Sequence, residues 1–235
     1  AVFDGLYGGF SIPAATRARI AQYAENEYFG KPSGLMDQMA SATGGLVAMD
    51  FKRDEPQVKP LSFDFAQHGY ALMVVNTGGS HDDLTAEYAA IPREMRQVAA
   101  FFGEEVLRRV RPEQLFQEIG PLRKKTSDRA VLRALHFFEE NRRVSAQTAA
   151  LERGDVPAFL RDVIASGRSS FMYLQNIYAH PGEQRLSLAL ALAESQLAGT
   201  GAWRVHGGGF GGTTLNFVPL PQVPAFVEMM ESAFF

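Results

Sequence analysis

Three clusters of residues in this sequence have types and spacings that could do chemistry. The segment PSGLMDQMAS places Asp37 in the first turn or so of a short helix, four residues after Ser33. An acidic side chain near a helix start is favoured by the helix dipole, so the position alone has a structural explanation. The chemical alternative is a carboxylate that receives a hydroxyl proton during phosphoryl transfer. Such transfer depends mainly on positioning and charge stabilisation, with one base or orienting group on the nucleophile. Gly34, just before the helix, would let a ligand come close to the backbone. The second cluster is AENEY, in which Glu25 and Glu27 are two apart and so point to different faces of a helix. One carboxylate on an inward face could hold Mg²⁺, a hard cation that takes one or two protein carboxylates plus phosphate oxygens. Glu27 is read as solvated helix surface.

The third cluster is NTGGSHDDLTAEY. A strand is expected to end at Asn76, a Gly-Gly turn follows, and a helix begins near Asp82 and Asp83. Loops at strand ends often carry sites, and Tyr88 falls about a turn and a half into that helix. His81 reads as a capping or surface histidine. The other histidines (His68, His136, His180 and His206) have no metal-like spacing with one another.

Gly207, Gly208, Gly209, Phe210, Gly211 and Gly212 formally match G-x-G-x-x-G. A dinucleotide-binding reading needs that motif between a strand and a helix. Here TTLNFV follows, which reads as a strand, and too little chain remains for a Rossmann half. A protein-kinase loop would need its lysine strand and catalytic loop downstream, and no G-x-x-x-x-G-K-[ST] occurs. Five glycines in six positions raise the entropic cost of ordering the segment. Such a run is kept where the backbone takes positive φ or approaches something closely. A tight hairpin with no ligand is the alternative.

The elements that must position these residues follow from periodicity and punctuation. An amphipathic helix is expected over 13–29, with Ser11 as its cap, Pro13 in its first turn, and Gly30 with Pro32 ending it. Ser33 and Gly34 open a short helix, LMDQMASAT, which stops at Gly44-Gly45. Strands are expected at 46–51, 58–63 and 70–75, and helices near 83–103, 104–117, 126–152, 157–178 and 183–198. Two short strands, 202–205 and 213–218, flank the glycines, and a final helix runs from about 222. Strands, then helices, then a strand pair make an α+β arrangement. The charged, Pro-bearing KRDEPQVKP between the strands at 46–51 and 70–75 reads as a domain seam, or else as a surface hairpin.

Composition narrows the classes. The chain has 235 residues, 46% of them hydrophobic, enough for a sizeable core. A net charge of −3 gives no electrostatic footprint for nucleic acid or an anionic membrane. The absence of cysteine removes disulfides, thiolate metal sites and cysteine nucleophiles. The longest apolar runs, such as LSLALALA, are far short of the roughly 20 residues of a membrane span. A soluble cytoplasmic protein is expected, and the opening AVFDG, without initiator Met or charged leader, reads as a cut start.

Taken together the clusters resemble the galactokinase family, a branch of the GHMP small-molecule kinases. AENEYFGKPSGLMDQMASATGG looks like that family's A-E-N-E-[FY]-x-G-x-x-x-G-[IL]-M-D-Q-x-x-S stretch. VVNTGGSHDDLTAEYAAIPREM is similar to its strand and helix carrying S-x-E-Y, ENRRVSAQTAALERGDVPAFLRDV to a helical E-x-x-R-x-x-x-A-x-x-A-L-x-x-G-D segment, and GGGFGG to its third motif. The resemblance implies a GHMP-kinase-like α+β fold, with 1–66 the remainder of an N-terminal nucleotide and sugar lobe. Residues 67–235 would form a helix-rich C-terminal α/β-sandwich domain. It implies ATP-dependent phosphorylation of galactose at the anomeric oxygen, by a cytoplasmic monomer that uses Mg²⁺. By the same resemblance Asp37 is the catalytic aspartate, Glu25 the Mg²⁺ carboxylate, Gly34 a backbone contact to the sugar and Tyr88 a sugar-contacting tyrosine. The loop Gly207–Gly212 borders the active site and steadies it.

Several features depart from the family pattern. The P-x-x-x-G-L-S-S-S loop that wraps the triphosphate is absent, as is the R-x-N-L-I-G-E-H-x-D-Y sugar segment, so the 235 residues alone are expected to be inactive. Gly167 replaces the histidine of the family's E-S-H, the S-C-P-E-L-D element is not recognisable around Asn176–Leu188, and Val205-His206 stands where Met-Thr is usual. These differences leave open a kinase for N-acetylgalactosamine or arabinose, or a galactokinase-like sensor of sugar and ATP without catalysis.

Overall fold

The computed structural model describes residues 2–30, 33–79 and 84–235. The expected cap His81 and helix start at Asp82 and Asp83 lie outside the described residues, as does Pro32. The chain divides into two compact units, Ala1–Phe63 and Asp64–Phe235.

The first unit runs α1 (Val2–Gly8), α2 (Ala14–Tyr23), a π-helical turn Ala24–Tyr28 that continues α2, α3 (Met36–Thr43), and the hairpin β1 (Leu46–Asp50) with β2 (Gln57–Leu61). The strands are antiparallel, Leu46 opposite Leu61 and Asp50 opposite Gln57. KRDEPQVKP is therefore the turn and second strand of a hairpin. Neither serine expected as a cap acts as one. Proline 13 occupies the N-cap of α2 and Leu35 that of α3, with no side-chain cap bond at either. Ser33 is drawn away from α3 by Asn26, whose Oδ1 accepts from the Ser33 amide at 2.8 Å and hydroxyl at 3.2 Å. The helix α3 does stop where expected, at Gly44 and Gly45, both in the left-handed region. Buried apolar side chains are sparse in this unit: among the described residues Ala18 and Met39 are the fully buried ones. Leu6, Tyr7, Phe10, Tyr28 and Phe29 are all exposed. So small a core gives a unit of this size little hydrophobic stabilisation of its own.

The second unit holds a three-stranded antiparallel sheet of β3 (Tyr70–Asn76), β4 (Ala202–Val205) and β5 (Thr213–Pro219), in the order β3-β5-β4. Between β3 and β4 run α4 (Thr85–Phe101), α5 (Pro112–Gln117), α6 (Ile119–Lys125), α7 (Asp128–Glu152), α8 (Val156–Ser169) and α9 (Arg185–Leu197), and α10 (Val223–Phe234) follows β5. The helix expected over 104–117 is instead a 3₁₀ turn (Leu107–Arg109) followed by α5, because Pro112 starts a helix far better than it continues one. The helix expected over 157–178 ends in a π-helical turn, Ser170–Leu174, closed by Gln175 in the left-handed conformation. One apolar cluster joins α4, α5, α6 and α7 around Val98, Leu115, Leu122 and Ala134. Another packs Ala193, Leu197, Phe226 and Met230 on Val75, Trp203 and Val218 of the sheet. No helix among the described residues is long and apolar enough to cross a membrane.

Buried charge ties the helices together. Glu94 of α4 accepts from Arg133 Nη1 at 2.8 Å and from Arg129, both on α7, and Arg133 Nε donates to the Leu174 carbonyl at 3.1 Å. Arg133 is fully buried, so its cation is tolerable only with that carboxylate beside it. About one turn further along α7, buried His136 places Nδ1 2.9 Å from Ser169 Oγ. Burial holds its pKa below the ordinary value; Arg143 and Arg204 push the same way and Glu140 opposes them. A lowered folded-state pKa means that the unfolded chain takes up more protons. Stability should therefore fall as pH drops below about 6.5, the unfolded-state histidine value, and level off above it. Melting curves of wild type and His136→Gln between pH 5 and 8 check this, the substitution being expected to flatten the acid limb.

Candidate active site

In the first unit the candidate residues meet across α3 and the π-helical turn. Asp37 is exposed in the first turn of α3 and makes no hydrogen bond or ion pair with another described residue. The next residue, Gln38, turns the other way: its Nε2 donates to Glu25 Oε2 at 2.7 Å and to Ser33 Oγ at 3.2 Å. Glu25, half-buried, is thereby tied to the helix that carries Asp37, whereas Glu27 is exposed on the far side of the turn. The π-helical register of 24–28 displaces Glu25 from its ordinary α-helical position, and such turns are common at functional sites. Gly34 is exposed, its φ is not left-handed, and a Cβ there would meet nothing within 4 Å. The local fold gives no steric reason for a glycine at that position.

In the second unit the glycine loop links the neighbouring strands β4 and β5, as the strand character of TTLNFV suggests. Gly207, Gly209, Phe210 and Gly212 all have positive φ. What the backbone approaches closely is the protein's own chain. A Cβ on Gly209 would overlap the Asn176 carbonyl oxygen and side chain, one on Gly208 would press on the Tyr88 ring, and one on Gly212 would lie 2.9 Å from Thr77 Oγ1. The loop is pinned from three sides. Phe210 N donates to Asn176 O at 2.7 Å and Asn176 Nδ2 donates to Gly208 O at 3.0 Å. Gly212 O accepts from the Thr77 amide at 2.8 Å and hydroxyl at 2.9 Å. Tyr88 donates its hydroxyl to Gly209 O at 2.6 Å and sets its ring edge-on to Phe210, centroids 5.3 Å apart. Partial burial raises the Tyr88 pKa.

Two residues in these arrangements carried no assigned role in the sequence reading. Gln38 lies inside the MDQ motif, but its bridge to Glu25 spans 13 residues. Asn176 is almost wholly buried and 32 residues from the loop it holds; the left-handed Gln175 before it turns the chain. No spacing rule connects a lone Asn to a distant glycine run.

No group of three or more His, Cys, Asp or Glu able to hold a metal ion occurs among the described residues. The donors present suit a cation carried in largely by phosphate oxygens and water, with a single protein carboxylate such as Glu25.

The combination of this sheet with its helices is a known one. The structure matches the Lactococcus lactis galactokinase complexed with galactose with a TM-score of 0.76 at 23% identity, covering 99% of this chain and 58% of that one. It also matches L. major mevalonate kinase in complex with R-mevalonate with a TM-score of 0.60 at 18% identity. The fold is that of the GHMP kinases. At the level of sequence, galactokinases align along most of the chain: 31% identity over 217 residues for Actinobacillus pleuropneumoniae serotype 5b, 33% over 215 for Homo sapiens and 34% over 220 for Streptomyces coelicolor. These alignments take in 91%, 89% and 92% of this chain and 54%, 51% and 54% of the relatives. Over about nine-tenths of its length the chain is similar to galactokinases, and it spans about half the length of the curated relatives it matches. No family model matches it.

Proposed function

We propose that this sequence works as part of an ATP-dependent kinase that phosphorylates galactose at its anomeric oxygen. The observation that carries the reading is the Gln38 bridge. It holds Glu25 to α3 while the carboxylate of Asp37, one residue earlier, stays exposed with no partner among the described residues. In this reading Asp37 orients the anomeric hydroxyl and takes its proton as the oxygen bonds to the γ-phosphorus and the bond to the ADP oxygen breaks. Gly34 leaves the backbone open to the sugar, and Tyr88 is the sugar-contacting tyrosine. Mg²⁺, when bound, neutralises developing charge on the phosphates, and Glu25 is the carboxylate that would reach it. The loop 207–212 acts as support; Gly208, Gly209 and Gly212 are held against Tyr88, Asn176 and Thr77 of the chain itself, and no triphosphate is assigned to the loop. The protein is read as a cytoplasmic monomer.

The test is coupled-assay turnover of ATP by the full-length protein with galactose, N-acetylgalactosamine and arabinose, with and without Mg²⁺. Galactose is expected to give the highest kcat/KM, and the isolated 235 residues no measurable rate. Preference for another of the sugars would reassign the substrate. Saturable galactose binding with no turnover in any condition would replace the kinase reading by that of a sensor.

A further inference from the structure

We propose that the groove between α8, α9 and the start of β4 is a second ligand site, for an aromatic phosphate monoester. The cavity has a volume of about 490 Å³, within the range of small-molecule sites. Its walls include Arg143, Arg161, Arg168, Tyr173, Glu194 and Trp203. None of these belongs to the residues placed in the candidate active site.

Charge defines one half of the ligand. Arg142, Arg143 and Arg204 share the two carboxylates Glu139 and Glu140, and Arg168 faces Glu194 at 3.4 Å. Arg161 makes no hydrogen bond or ion pair with another described residue. Among the lining residues three guanidiniums, those of Arg143, Arg161 and Arg168, stand against the one carboxylate of Glu194. Arg161 and Arg168 are seven apart on α8 and so lie on one face, where two planar forks can grip one phosphate. Arg143 on the inner wall is itself neutralised: its side chain has a relative exposure of 9% and its Nη atoms face Glu139 and Glu140, which leaves the rim arginines of α8 for a ligand.

The aromatic walls define the other half. Tyr173 and Trp203 line the same cavity, with Ile164, Ala165 and Met172 extending the apolar surface. A flat or apolar group attached to the phosphate would rest there and leave the charge to α8. A free inorganic anion uses only half of the site.

Trp203 is the chain's one tryptophan, so its fluorescence reports on the groove directly. Phenyl phosphate titrated into the protein should give a saturable fluorescence change, at lower concentration than inorganic phosphate or phenol. The double variant Arg161→Ala/Arg168→Ala should weaken binding about tenfold or more, as expected for loss of charge-assisted bonds. Both side chains are largely exposed, so folding should be kept, and the melting temperature checks it. Arg161→Lys/Arg168→Lys should fall in between, keeping charge but losing the fork. No saturable change, equal affinity for inorganic phosphate, or undiminished binding by the double alanine variant would each overturn the proposal. None of these readouts depends on kinase activity, so the proposed function stands or falls separately.

Discussion

Asp37→Asn in the full-length protein is expected to lower kcat by about 10²–10⁴, the usual cost of losing a general base. Asparagine keeps the size and hydrogen-bonding shape of the side chain and removes the charge that draws off the hydroxyl proton. Asp37 is exposed and bonded to no other described residue, so the fold should scarcely register the change. If the carboxylate were there only to complement the helix start, its loss would cost roughly 0.3–1 kcal/mol of stability and leave the rate alone. On the proposed reading, in which Gly34 and Tyr88 contact the sugar, galactose affinity should move far less than kcat. The measurements are kcat, sugar Kd by calorimetry and Tm, on parent and variant. A variant with near-parental kcat removes Asp37 from the chemistry.

Gly209→Ala should destabilise the second unit by about 3 kcal/mol or more, through two mechanisms acting on one atom. The residue sits at φ +78°, a region that costs a non-glycine residue of order 1–3 kcal/mol. The added Cβ also runs into the Asn176 carbonyl oxygen and the Asn176 side-chain nitrogen. That oxygen already accepts from Phe210 N and that nitrogen already donates to Gly208 O, so Asn176 cannot step aside without breaking what pins the loop. Gly207→Ala is the internal control. Gly207 also has positive φ, yet a Cβ there meets nothing within 4 Å, so it should lose only the backbone share, about 1–2 kcal/mol. For a unit of this size each kcal/mol is worth roughly 2–4 °C in Tm. Equal melting temperatures for the two variants would mean that Gly209 is not held against Asn176.

Residue order and spacing were enough to place most of the elements. The stop of α3 at Gly44-Gly45, the long helix α7, and the strand that follows the glycine run all follow from local rules of period, breaker and turn. Those rules fail where the deciding partner is distant. Ser11 and Ser33 have the composition of caps, but Asn26 claims Ser33 and α2 starts later, at Ala14. The segments 104–117 and 157–178 have helical periodicity, yet Pro112 and the π-helical turn at Ser170–Leu174 reset their ends.

The same division runs through the site. The sequence by itself determined the resemblance to galactokinases, the candidacy of Asp37, Glu25, Gly34 and Tyr88, and the need for glycine somewhere in 207–212, because these rest on residue type and short spacing. Only the tertiary structure decided that Gln38 ties Glu25 to α3, and that Gly209 and Gly212 are glycines because Asn176 and Thr77 leave no room for a side chain. It alone gathered Arg143, Arg161, Arg168 and Trp203 around one groove. Contacts across tens of residues leave no periodic mark in a sequence. Their energies come from burial and geometry, which exist only once the chain has folded.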